Sequence, residues 1–165
     1  MSLTNEEKIE LMRLMYKAEF PLPRDLFYAW CQNFAVPCVE IAILREGANE
    51  REIYLTYRDD EFFKGWHIPG AVVQAGETVE EVFERIARDE LQGAECTRRF
   101  FSWFEYLQGS GAGQSARGHA ISLVFSADAP STIRESDTAK FFPFSKIPDD
   151  LISEHVPVVD ALRNR

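Results

Sequence analysis

The sequence predicts a single α+β domain: a mixed set of strands with one central and one terminal helix, preceded by a helical extension. Three observations carry this. Strand-like apolar runs alternate with turn residues between positions 36 and 144, a capping box at Thr78 announces an amphipathic helix in their midst, and an apolar helical stretch closes the chain. A length of 165 residues suits one domain whose core needs no staples.

Taken in order, Thr4 followed by Glu7 is a capping box, so a first helix is expected from about Thr4 to Ala18. Its Leu11, Leu14, Met15 and Ala18 stripe needs a partner surface, on the domain or across a homodimer. A second helix is expected from Arg24 to Asn33, which makes residues 1 to 34 a helical extension and residues 35 to 165 the main domain. Val36 to Leu44 and Glu52 to Tyr57 read as strands around a Glu-Gly-Ala-Asn turn at positions 46 to 49. Trp66 to Ile68 and Val72 to Val73 flank the Pro69-Gly70 break. Gly76-Glu77-Thr78 then ends the strand-like run, and the Thr78/Glu81 capping box starts a helix at about Val79 with Val82, Phe83, Ile86 and Ala87 toward a core. Cys96 to Leu107, Ala120 to Ala127 and Lys140 to Phe144 supply further strands, with a flexible loop from Gly109 to Gly118, and a last helix runs through Val156 to Arg163.

Composition excludes some partners. A net charge of −9 argues against a general nucleic-acid or membrane-surface binder, because affinity for polyanions rests on Lys and Arg. No signal peptide or membrane-spanning segment is visible, since the longest apolar run, Phe34 to Leu44, is short and contains Pro37 and Glu40. Cys31, Cys38 and Cys96 are odd in number and lack metal spacing, so reduced thiols in a cytoplasmic protein are expected. An acidic enzyme that handles an anionic substrate must recruit a cation.

The segment from Pro69 to Gly93 is suited to that task. It sets Glu77, Asp89 and Glu90 around a glycine turn and along the helix that follows. Carboxylates at the edge of an apolar stripe suit magnesium, which takes one or two of them and leaves its other positions to water and phosphate. The spacing also allows duller roles: Glu77 as a first-turn acid at the helix N-terminus, and Asp89 as the ion-pair partner of Arg85.

This segment resembles the signature of the Nudix hydrolases, G-x5-E-x7-R-E-U-x-E-E-x-G-U with U aliphatic. Aligned on Glu77, the pattern falls on Ala71, Glu77, Arg85, Ile86, Ala87, Asp89, Glu90, Gln92 and Gly93. Two departures matter: Ile86 replaces the glutamate expected after the arginine, and Ala71 replaces the leading glycine, although Gly70 precedes it. The resemblance implies an α/β/α sandwich from about Val36 to Arg165 and metal-dependent hydrolysis of a nucleoside diphosphate derivative. It further implies magnesium, or manganese, on Glu77, Asp89, Glu90 and the Gly70 carbonyl, with Arg85 in the catalytic set.

Within that family the chain looks most like GDP-mannose mannosyl hydrolases. Phe83-Glu84-Arg85-Ile86 and Glu90-Leu91 fit their variant signature, and His119 precedes the Ala120-to-Phe125 strand where they carry a histidine. The resemblance implies water attack on the sugar carbon of a nucleotide sugar, with His119 as general base. Ordinary pyrophosphate cleavage and a silent module that binds a nucleotide or partner protein are the alternatives. His119 shares the parity of Ile121, Leu123 and Phe125, which points it toward the apolar face or the cleft and favours a core histidine on that ground. His67 is expected to pack or cap its strand and His155 to lie on the surface. Arg58 and Arg117 are candidates for gripping phosphate or sugar hydroxyls through forked donors, and Phe62, Phe63, Trp66, Trp103 and Tyr106 are expected mostly in the core.

Overall fold

A computed structural model describes residues 3–18 and 22–165. Helices α1 (Asn5–Lys17) and α2 (Arg24–Asn33) precede a sheet built from β1 (Val36–Glu46), β2 (Arg51–Asp59), β3 (Lys64–His67) and β4 (Gly70–Val72). Helix α3 (Val79–Glu90) follows, then β5 (Arg98–Gln108), β6 (Gln114–Ser115), β7 (Ala120–Asp128), β8 (Ala139–Pro143) and helix α4 (Val156–Arg163). Both predicted capping boxes form, Thr4 with Glu7 and Thr78 with Glu81. The loop expected to be flexible between Gly109 and Gly118 contains β6, which pairs with the end of β5.

The strand order is β3-β2-β1-β7-β5-β6, with β4 added to β1 and β8 to β2. β1 is the centre of the molecule. It runs parallel to β7 from Val36↔Ala120 to Leu44↔Asp128, and antiparallel to β2 and β4. Its apolar run is continuous because both faces are covered. Val39, Ile41 and Ile43 pack under α3 with Val82, Phe83 and Ile86, whereas Cys38 and Ala42 face the opposite core with Val158, Val159 and Leu162 of α4. Glu40 shares the parity of Cys38 and Ala42, so the chain places a glutamate inside that second layer, 4 % exposed. Trp103, expected inside, is instead 60 % exposed: α3 meets its strand only at the start, where Arg98 reaches Glu80 and Phe83, and Phe100 and Ile121 are exposed as well.

The two N-terminal helices differ in what they touch. Helix α2 is tied to the turn before β7, where Gln32 donates to the Arg117 carbonyl at 2.7 Å. Gly118, at φ +147°, passes so close to the Cys31 carbonyl that a Cβ would lie 2.0 Å from it. Helix α1 buries none of its residues, and Leu11, Leu14 and Met15 are each about half exposed. Removing residues 1–18 is therefore expected to shift the melting temperature by no more than about 4 °C, the scale of a surface change. Sedimentation of the truncated chain checks the other half of the expectation, since loss of a dimer would assign the stripe to a second copy.

Candidate active site

The turn before α3 is closed by an arginine. Arg85 Nε and Nη2 donate to the two carboxylate oxygens of Glu77 at 2.8 and 2.7 Å, and Nη2 also reaches the Val72 carbonyl at 2.7 Å. The Gln74 amide donates to Glu77 Oε2 at 2.9 Å. The guanidinium beside it holds the Glu77 carboxyl below its ordinary pKa. The Arg85–Asp89 pair that the helix spacing allows does not form, because a carboxylate offering both oxygens takes the fork better than one reached along the helix. Asp89 pairs instead with exposed Arg88, at 2.8 Å. Arg85 lines the cleft, but its donors are directed to the turn that shapes it.

Glu90, at the last turn of α3, occupies the deep side of the cleft. Its Oε1 accepts from the Gly70 amide at 3.3 Å, and Oε2 lies 2.8 Å from Thr56 Oγ1 on β2 and 3.5 Å from His67 Nε2 on β3. His67 Nδ1 donates to the Ile68 carbonyl at 2.9 Å, and burial pushes its pKa down to about 3, so the ring is neutral. Thr56 then has one proton for two acceptors, Glu90 and His67 Nε2 at 3.0 Å. Burial raises the Glu90 pKa, outweighing the hydrogen bonds from Thr56 and Gly70 and the weaker pull of the Arg58 and His155 charges. Gly70 cannot carry a side chain: a Cβ would meet Glu40 Cγ at 2.7 Å and the Val39 carbonyl at 2.9 Å.

Beside this group lies a second one that the sequence did not reveal. Tyr106 donates to Glu40 Oε2 at 3.1 Å, and His155 sits between Glu40 and Glu154, each 3.7 Å from a ring nitrogen. His155, expected on the surface, is 4 % exposed because the turn entering α4 folds back over the end of the sheet. Burial lowers its pKa, but Glu40 and Glu154 more than reverse this and leave it raised. Glu154 Oε2 and His155 Nδ1 are buried without a hydrogen-bond partner. The signal for Glu40 was present as an acid inside an apolar strand; Glu154 and His155 carried none.

These groups line one cleft of about 1040 Å³, together with Phe27 and Trp30 of α2 and with Arg58 and Arg117. Arg58 is partly engaged by Asp60 at 2.5 Å. Among the described residues Arg117 has no carboxylate partner, and its guanidinium lies over the Phe63 and Phe27 rings at 5.4 and 5.6 Å. Gly70, Arg85, Asp89 and Glu90 reach this cleft, but His119 does not. His119 Nε2 pairs with Glu105 at 3.0 Å on the uncovered side of β7, the face of exposed Ile121. Among the described residues no set of three or more His, Cys, Asp or Glu is placed to hold a metal by itself. Glu90 nevertheless fits a divalent ion: it is a buried carboxylate without a contacting cation, next to a glycine backbone and an open cleft.

The NUDIX domain model matches residues 37–162, and the chain belongs to that family. The NUDIX domain of Shewanella oneidensis NrtR, complexed with ADP ribose, superposes with a TM-score of 0.62 at 14 % identity, covering 87 % of this chain and 99 % of that one. A possible asymmetric diadenosine tetraphosphate hydrolase from Jonesia denitrificans gives 0.64 at 14 %, covering 81 % and 95 %. The Caenorhabditis elegans Ap4A hydrolase gives 0.55 at 16 %, covering 79 % and 95 %. At these identities the likeness is one of fold. No curated protein matches the chain. The family match begins at residue 37, so the α2 wall of the cleft lies outside it.

Proposed function

We propose that the chain hydrolyses a nucleoside diphosphate joined to a sugar, with water attacking the sugar carbon instead of phosphorus. The observation that carries this reading is what remains of the family's acidic set. Ile86 is packed in the core, Glu77 and Asp89 each face an arginine, and Glu90 alone stands free of arginine at the cleft. Glu90 and the Gly70 carbonyl would hold a magnesium or manganese ion, which would supply charge neutralisation of the leaving diphosphate. One carboxylate suits that single task.

The chain's own residues supply the rest. Arg117, helped by Arg58, presents forked donors to the diphosphate, and Phe27 and Trp30 offer flat faces to the base. The attacking water loses its proton to a carboxylate on the cleft wall while the carbon–oxygen bond to the diphosphate breaks and the diphosphate departs with the electron pair. In this reading Glu40 or Glu154, which line the cleft, takes that proton in place of His119, which pairs with Glu105 outside it.

The arginines on Glu77 and Asp89 favour one other reading, a module that binds such compounds without turnover. Release of nucleoside diphosphate from a panel of nucleotide sugars and dinucleotides, with magnesium and with chelator, separates the two. Magnesium-dependent release from nucleotide sugars is expected. Binding by calorimetry with no release from any compound would leave the module.

A further inference from the structure

The geometry points to the inner group, Glu40, Glu154 and His155 with Tyr106, as a subsite that holds the hydroxyl-bearing moiety of the ligand, sugar inward and nucleoside outward. The inference rests on the nucleotide-sugar reading and says which end of the ligand goes where. Four features of the cleft support it.

The first is unmet hydrogen bonding. Glu154 Oε2 and His155 Nδ1 are buried without a partner, and the 3.7 Å separations around the ring are too long for hydrogen bonds. Buried polar atoms are nearly always satisfied, so exceptions that line a cleft mark where a ligand supplies the partner. The second is chemical type. Two carboxylates stand against one imidazole, Tyr106 already serves Glu40 as a donor, and the unfilled atoms are a carboxylate oxygen, which accepts, and a ring nitrogen, so a neutral group that can both donate and accept fits. Sugar hydroxyls donate in number and carry no charge.

The third feature is polarity along the cleft. Phosphate is repelled by Glu40 and Glu154 in the inner group and attracted by Arg58 and Arg117 elsewhere in the cleft, which favours the sugar-inward orientation. The fourth is continuity. Glu40 lies opposite Gly70 in the β1–β4 ladder, which places the subsite beside Glu90, where the diphosphate and sugar join in the proposed reaction.

Calorimetric titration of the full chain with ADP-ribose against ADP, and GDP-mannose against GDP, tests this. Calcium replaces magnesium, since it takes the same oxygen ligands with looser geometry. At least one sugar compound is expected to bind about 10-fold or more tighter than its parent diphosphate. Glu154→Gln should erase about 10–100-fold of that preference without weakening the affinity for the diphosphate, which loses a repelling charge. Retained diphosphate binding also shows that the variant is folded. Wild-type protein that binds the diphosphates but prefers neither sugar compound would overturn the subsite and leave the cleft assignment standing. Loss of sugar and diphosphate binding together in Glu154→Gln, with an unchanged melting curve, would also overturn it. Wild-type protein that binds none of the four compounds would overturn the nucleotide-sugar reading itself.

Discussion

Glu90→Gln is expected to lower turnover by about 10²–10³-fold and, in chelator, to raise the melting temperature. The first effect follows from removing the charge that neutralises the leaving group while keeping the shape. The second follows from the cost of that charge in the folded chain, where burial raises the Glu90 pKa and its close partners among the described residues are the Thr56 hydroxyl, the Gly70 amide and neutral His67. A carboxyl whose folded pKa is raised binds its proton more tightly in the native state. Stability is therefore lost as pH rises from the unfolded value through the folded one. The thermal advantage of Glu90→Gln should accordingly be small at pH 4 and grow toward pH 8. A melting temperature at or below wild type at pH 8, or turnover close to wild type, would contradict the role given to Glu90.

Arg85→Ala is expected to cost about 2–4 kcal/mol of stability, because it strips a mostly buried carboxylate of two hydrogen bonds and the Val72 carbonyl of one. The Glu77 pKa is lowered chiefly by Arg85, so the pair contributes fully above the ordinary carboxylate value of 4.5 and loses its contribution as pH falls through the lowered one. Urea midpoints at pH 7 should separate wild type from variant widely, and midpoints at pH 3 should bring them together. Arg85→Lys keeps the charge but loses the fork, and should recover only part of the difference. A variant as stable as wild type but without turnover would return Arg85 to the catalytic place that the signature gives it.

Most of the architecture was legible in local pattern. The capping boxes at Thr4 and Thr78, the limits of α2 and α4, and the strands on either side of the Pro69-Gly70 break follow from signals that act within a few residues. What failed was decided at long range. Glu40 read as an interruption of an apolar run, but β7 on one side, β4 on the other and α4 above turn it into a buried acid. Nothing near His155 indicates burial, because its partners Glu40 and Tyr106 lie 115 and 49 positions away in sequence. His119 had the parity of Ile121, Leu123 and Phe125, yet parity names a face without saying whether anything covers it. At that end of β7 nothing does, and the ring finds Glu105. The Arg85–Asp89 spacing was correct for a helix pair and lost to a better acceptor outside the helix.

The position of the water oxygen tests the account most directly. Hydrolysis of a nucleotide sugar by the wild-type chain in ¹⁸O-water with magnesium, followed by mass spectrometry of both products, should place the label on the sugar and none on the released nucleoside diphosphate. Label on phosphate would contradict attack at carbon and show that Glu90, with arginine-bound Glu77 and Asp89, suffices for ordinary pyrophosphate cleavage.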